Sequence, residues 1–161
     1  MQAHVFIGLG SNLDDPRGQL RRAIDAIAAI RGVHLRATSS FYASAPVGYD
    51  DQPDFVNAVV EVVTELPPAA LLERLQQIEQ TQGRQRSFRN APRTLDLDLL
   101  LYGDHRQADP DLTLPHPRCH QRAFVLLPLK EIAPDCVIPG KGAVAALVVG
   151  CRDQAVARMV D

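Results

Sequence analysis

The stretch Leu95-Asp96-Leu97-Asp98-Leu99 alternates leucine with aspartate. In an extended chain successive side chains point to opposite faces. Leu95, Leu97 and Leu99 therefore share one face, and Asp96 and Asp98 share the other with Cα atoms roughly 7 Å apart. Two carboxylates on an otherwise apolar strand are costly to bury unless they are paired or hold a cation. Carboxylates without His or Cys suit a hard cation such as Mg²⁺; the plainer alternative is a solvated strand face. Just upstream stand Arg84, Arg86, Arg89 and Arg93 with no acid among them. Guanidinium groups beside an acid-held cation are what a polyphosphate needs for charge neutralisation. The polar loop that carries them is also suited to close over a substrate.

Other candidates are weaker taken singly. Phe55 and Asn57 are two apart on a β-branched run, so they share a face; an aromatic plate beside an amide suits a flat, hydrogen-bonding heterocycle. Phe124 is a second such plate, although isolated Phe residues are commonly core. His116 sits between Pro115 and Pro117 in a stiff loop, where it can donate a hydrogen bond to phosphate. The familiar nucleotide motifs are missing. Gly8-Leu9-Gly10 is followed by Leu13 where a dinucleotide fingerprint requires its third glycine, and no Gly-x-x-x-x-Gly-Lys-Ser/Thr occurs. Any ATP chemistry here runs without a P-loop.

These residues need elements to hold them. Val5, Ile7 and Leu9 alternate as a first strand, and Gly8, Gly10, Ser11 and Asn12 signal a turn after it. Asp15 is placed as an N-cap and Pro16 as a first helical position; Leu20, Ala23, Ile24, Ile27 and Ile30 follow at helical spacing up to Gly32. Val33–Tyr42 reads as a strand, 43–53 as a loop and Phe55–Thr64 as a strong strand. Pro67-Pro68 opens a helix with Leu71, Leu72, Leu75 and Ile78 inward, ending near Gly83. Thr94–Tyr102 is the next strand, and helical segments follow near Arg122–Ile132 and Ala143–Val149. The order β-α-β-β-α-β predicts an α+β fold, a ferredoxin-like core with an antiparallel sheet, plus a C-terminal extension.

The whole chain, 161 residues with 46% hydrophobic and 22% charged residues, matches one globular domain and excludes disorder. The longest apolar stretch, around Ala143–Val149, falls far short of the roughly 20 residues of a spanning helix. The N-terminus lacks the pattern of a signal peptide. Net charge is −2, so no global basic field for nucleic acid exists. The basic residues are almost all arginine, with Lys130 and Lys141 the only lysines. Cys119, Cys136 and Cys151 are odd in number and well separated, which predicts neither a disulfide framework nor a zinc site and fits a reducing cytoplasm. His116-Pro117-Arg118-Cys119-His120 contains metal-binding residue types but has no second ligand cluster elsewhere.

Taken together, several motifs resemble one family, the 6-hydroxymethyl-7,8-dihydropterin pyrophosphokinases. They are Gly10-Ser11-Asn12-Leu13, Ser39-Ser40-Phe41-Tyr42, Asp51-Gln52-Pro53-Asp54-Phe55-Val56-Asn57-Ala58, Ile78-Glu79 with Gly83-Arg84, Ala91-Pro92-Arg93-Thr94-Leu95-Asp96-Leu97-Asp98-Leu99, Leu114-Pro115-His116, and Arg122 with Phe124. The resemblance implies transfer of pyrophosphate from ATP to the pterin hydroxymethyl group, giving AMP, within folate biosynthesis. It implies that Asp96 and Asp98 hold two Mg²⁺ ions and that Arg84, Arg93, Asp96 and Asp98 are catalytic. Gln76, Glu79, Arg84, Arg93, Leu99, Thr113, His116 and Arg122 would bind ATP. Ser44, Val47, Phe55, Asn57, Asp96 and Phe124 would bind the pterin. A monofunctional, monomeric, cytoplasmic enzyme is expected, one domain over 1–161, acting on small molecules without nucleic acid or membrane. The chain departs from the family pattern by having Phe55 where a Tyr stands in another member, no Trp in the arginine loop, and Pro117 where an aromatic often follows the histidine. Two other readings fit parts of the chain: an RNA-binding module of split β-α-β fold, or another Mg²⁺-dependent phosphoryl or nucleotidyl transferase. The carboxylate pair opposes the RNA reading, because it repels phosphate unless a metal intervenes.

Overall fold

A computed structural model describes residues 2–13, 15–45, 53–82 and 95–160. In chain order these form β1 (Ala3–Ser11), α1 (Pro16–Ala28), β2 (Val33–Thr38), β3 (Tyr42–Ser44), β4 (Phe55–Thr64), α2 (Pro68–Thr81) and β5 (Asp96–Tyr102). Then come β6 (Gln107–Ala108), β7 (Thr113–Leu114), α3 (Ala123–Ile132), β8 (Val137–Ile138), β9 (Gly142–Ala143), α4 (Val144–Leu147) and β10 (Val156–Arg158). The main sheet runs β10-β3-β4-β1-β5, and β2 also pairs with β4. Each of these pairings is antiparallel. The fold is thus a mixture of helices and antiparallel sheet.

Alternation along the strands divides the interior in two. Val5, Ile7 and Leu9 of β1, Val56, Ala58, Val60 and Val62 of β4, and Leu97 and Leu99 of β5 face one way, together with Leu95 just before β5. They pack against Leu20, Ala23 and Ile27 of α1 and Leu71 and Leu75 of α2. α1 starts where the sequence predicts: the Asp15 side chain accepts from Gly18 N–H at 3.4 Å, with Pro16 next. Along α2, Leu71 and Leu75 are fully buried, while Leu72 and Ile78 only flank the core. On the other face Phe6, Val59 and Leu100 meet Ala123, Val125, Leu126 and Leu129 of α3 and the segments beyond it.

Two expectations need correction, and two segments gain detail. Gly8 and Gly10 do not turn the chain; β1 continues through them to Ser11, with Gly10 paired to both Asn57 and Asp96. The Val33–Tyr42 strand is broken in two. Its register shifts between Leu35 and Ala37, and the chain then leaves the ladder at Ser39–Phe41. The Ser39 hydroxyl fills the gap, accepting from Val59 N–H at 2.9 Å. The proline-rich stretch after β5 contains the β6–β7 hairpin, which its composition hides. The helical segment expected near Ala143–Val149 is present as one α-turn, α4, running on into a 3₁₀ turn, and beyond it β10 adds to the sheet edge at β3.

Candidate active site

One row of residues crosses the sheet: Asp96 on β5, Gly10 on β1, Asn57 on β4 and Tyr42 on β3 are successive partners. One step along, Asp98 is opposite Gly8, and Gly8 is opposite Val59. The two glycines make a floor without side chains between the carboxylates and Asn57. A Cβ on Gly10 would stand 3.2 Å from Asn57 Oδ1, and one on Gly8 would stand 3.3 Å from Leu100 Cδ1. Asn57 is 5% exposed and donates through Nδ2 to Ser44 Oγ at 2.6 Å. Its amide is therefore oriented by β3 and not free to rotate. The resulting cleft brings together Asp96, Asp98, Ser44, Phe55, Asn57 and Phe124. Arg122 and Arg118 line it as well.

The electrostatics follow from this gathering. Asp96 and Asp98 are half-buried, and among the described residues no third His, Cys, Asp or Glu joins them in a metal-ligating cluster. An all-oxygen pair of this kind fits a hard cation that draws its remaining ligands from water and substrate. The Arg122 guanidinium lies 5.4 Å from the Phe124 ring centroid, a cation–π contact at the start of α3. His116 is close enough to Arg122, Asp96 and Arg118 to feel their charges. Burial, with help from the Arg122 and Arg118 charges and against the Asp96 carboxylate, pulls its pKa down to about 4. Its Nδ1 accepts from Arg118 N–H at 3.2 Å, which leaves the proton on Nε2. His116 is thus a neutral donor and not a charge partner at neutral pH.

The remaining predicted residues do not all converge. Glu79 of α2 is buried on the opposite face of the sheet, where its carboxylate accepts from Leu97 N–H at 2.7 Å. Leu99 packs into that same core. Gln76 is exposed and lines a separate groove with Leu72 and Glu73 of α2, and with Gln107, Asp111 and Leu112 of the β6–β7 hairpin. Thr113 follows on β7, donating to Asp109 O at 3.4 Å. Val47, Arg84 and Arg93, like Arg86 and Arg89, lie outside the described residues. Arg118 is the residue that sequence reasoning missed in this cleft. Its signal was present in His116-Pro117-Arg118 but was absorbed into a search for metal ligands.

Comparison with known proteins decides the family. The model of the family described as 7,8-dihydro-6-hydroxymethylpterin-pyrophosphokinase (HPPK) matches residues 6–134. The chain belongs to this family. The 2-amino-4-hydroxy-6-hydroxymethyldihydropteridine pyrophosphokinase of Haemophilus influenzae is 51% identical over 144 residues, covering 89% of this chain and 90% of that one. Its counterpart in Pseudomonas aeruginosa is 43% identical over 159 residues, covering 99% and 98%. As an HPPK family member the chain is a pyrophosphokinase, a transferase of folate biosynthesis, so the enzyme reading of the motifs holds. The fold of the pyrophosphokinase also resembles a Plasmodium falciparum HPPK-DHPS crystallised with pteroate, with a TM-score of 0.73 at 14% identity. That alignment covers 92% of this chain but only 42% of the other, so the chain spans less than half of the larger protein's length. Among the described residues no helix of the pyrophosphokinase is long and apolar enough to cross a membrane.

Proposed function

We propose that this pyrophosphokinase transfers the pyrophosphoryl group of ATP to the hydroxymethyl group of 6-hydroxymethyl-7,8-dihydropterin with Mg²⁺. It works as a single cytoplasmic domain over 1–161, monomeric, on small molecules alone. The observation that carries the reading is the row Asp96–Gly10–Asn57 with Phe55, Phe124 and Asp98 in one cleft. It sets a flat, amide-edged binding place beside a carboxylate pair. The sheet order β5-β1-β4-β2 supports a ferredoxin-like core under this site.

In this reading the pterin ring lies between Phe55 and Phe124. Asn57, the backbone of Ser44 and Val47, and Asp96 read its edge. Asp96 and Asp98 would hold two Mg²⁺ ions, which would supply charge neutralisation for the phosphates and lower the pKa of the attacking hydroxyl. Arg84, Arg93, His116 and Arg122 hold phosphate oxygens, His116 through its Nε2–H. Gln76 and Thr113 stand on the nucleotide side, the groove at Gln76 taking the nucleoside, while Glu79 and Leu99 serve it from the buried face of β5, Glu79 by holding the Leu97 N–H and Leu99 through its backbone. The hydroxymethyl oxygen attacks the β-phosphorus of ATP. The new O–Pβ bond forms as the bond from Pβ to the α,β-bridging oxygen breaks. AMP leaves with that bridging oxygen, and the hydroxyl proton passes to solvent. No covalent enzyme intermediate is required; positioning and electrostatics carry the step.

The test mixes the protein with ATP, Mg²⁺ and the reduced hydroxymethylpterin, and resolves AMP from ADP. AMP that forms only when both pterin and Mg²⁺ are present supports the reading. ADP or free pyrophosphate in its place assigns a different transfer.

A further inference from the structure

Arg118 lines the cleft that holds Asp96 and Asp98, and the transfer mechanism above gives it no role. Its main chain is fixed on both sides. His116 N–H donates to Leu100 O of β5 at 2.9 Å, Cys119 N–H to His116 O at 3.3 Å, and Gln121 N–H to Arg118 O at 3.0 Å. Cys119, next in the chain, is 1% exposed and plugged into the core under α3. The Arg118 side chain itself is exposed. A stiff, anchored turn thus presents a guanidinium into a cleft where two carboxylates already concentrate cations.

Such a group has two fates: an ion pair with the acids, or a contact to an anion that the acids and their cation bring in. Among the described residues no ion pair is seen between Arg118 and Asp96 or Asp98. Both acids have other partners. The guanidinium fork matches phosphate oxygens in a way no other side chain does. Arg118 also shares its cleft with Phe55, Asn57 and Phe124, and not with the groove at Gln76. That places it at the end of the nucleotide that is transferred.

We infer that Arg118 is a further catalytic residue that grips the pyrophosphoryl group as it passes from ATP to the pterin; the inference rests on the pyrophosphokinase reading of the cleft. As O–Pβ forms and Pβ–O(bridging) breaks, the travelling group stays between the same two partners, AMP on one side and pterin on the other. A guanidinium fixed to the enzyme holds it before and after transfer. The link to His116 runs through the Arg118 backbone N–H. Replacing the side chain therefore leaves the His116 tautomer intact, and the two effects separate.

The test compares R118Q and R118K with the unaltered protein. Three quantities are read: kcat and KM for both substrates, calorimetric affinity for the pterin alone, and affinity for Mg²⁺ with inorganic pyrophosphate. R118Q is expected to lower kcat about 10- to 100-fold, with pterin affinity within about twofold of the unaltered protein. R118K recovers part of the loss, and Mg²⁺–pyrophosphate binding weakens about tenfold in R118Q. A kcat within about twofold of the unaltered protein overturns the assignment. So does a loss of pterin affinity as large as the loss in kcat, which marks a structural role. If the unaltered protein forms no AMP, the functional reading fails by itself. The pyrophosphate arm still decides Arg118: unchanged affinity in R118Q removes it as a phosphate-binding residue.

Discussion

Asp98 and Gly10 show how much of the site rests on single positions. Asp98 is half-buried, opposite a glycine, and does not belong to either apolar core. Asp98→Ala is expected to reduce transfer by at least about a thousandfold while the melting temperature stays within a few degrees, because the carboxylate proposed to hold Mg²⁺, and not a packing contact, is lost. Near-normal turnover at ordinary Mg²⁺ removes Asp98 from the metal site. Gly10→Ala places a methyl 3.2 Å from Asn57 Oδ1. Overpacking of that kind costs about 1–3 kcal/mol, so pterin affinity should fall about tenfold or more while ATP affinity holds. Calorimetry with each ligand alone separates the two. At this scale the alternation of Leu and Asp in β5 was fully legible, since period 2 assigns faces without any knowledge of the fold. Gly8 and Gly10 were not, because the same residue type serves as a turn former and as a strand residue where a ligand needs room. Only the pairing of β1 with both neighbours distinguishes these uses.

The broken strand β2–β3 is held by a device local sequence does not announce. Glu131, at the end of α3, accepts from Ser40 N–H at 3.0 Å, from Ser40 Oγ at 2.9 Å and from Tyr42 OH at 2.7 Å. Arg158 of β10 stands 3.6 Å away. Burial alone would raise the Glu131 pKa, but the hydrogen bonds from Tyr42 and Ser40, with the Arg158 charge, win and lower it. For Tyr42, burial and the same carboxylate push the phenol upward. One carboxylate thus joins α3, which begins at Phe124's wall of the cleft, to the strand bearing Ser44. Glu131→Ala should cost about 1–3 kcal/mol of stability at neutral pH. A lowered carboxyl pKa adds stability above its unfolded value that is lost as pH falls through the folded one. The gap between Glu131→Ala and the unaltered protein should therefore narrow below about pH 4.5 in denaturant titrations; a constant gap means the charge does not matter. The motif Ser39-Ser40-Phe41-Tyr42 was legible as a family mark but not as a clamp, because its partners lie some 90 residues away, at a spacing of 91 from Ser40 to Glu131. β10 escaped for a related reason: a short edge strand with Arg158 on it carries no period of its own.

For the whole molecule, His116 ties the site to acid stability. Its folded pKa of about 4 lies below the ordinary 6.5. Its contribution is fully present above about pH 6.5, where both states are neutral, and is lost as pH falls toward 4, where the unfolded chain takes up a proton the native state refuses. Ligand-free protein should lose stability across that window, and His116→Gln should flatten the loss. An imidazole resonance titrating near 6.5 contradicts the burial of this ring. The α+β class and the order of the six principal elements were readable from periodicity, since each of them buries one face. The β6–β7 hairpin and the second, smaller core beneath α3 were not, because they depend on contacts that close only once the sheet exists. The alternation of β5 has one more consequence, for quality control. A slip of one residue would turn Leu95, Leu97 and Leu99 toward water and drive Asp96 and Asp98 into the layer under α1 and α2. Exposing the leucines forfeits about 1.5–3 kcal/mol each, and burying unpaired carboxylates adds several more per group, which exceeds the total stability of most domains. A folded chain with Asp96 and Asp98 on the wrong face is therefore excluded on energetic grounds: the register that buries the leucines is the same one that presents the two carboxylates to the cleft.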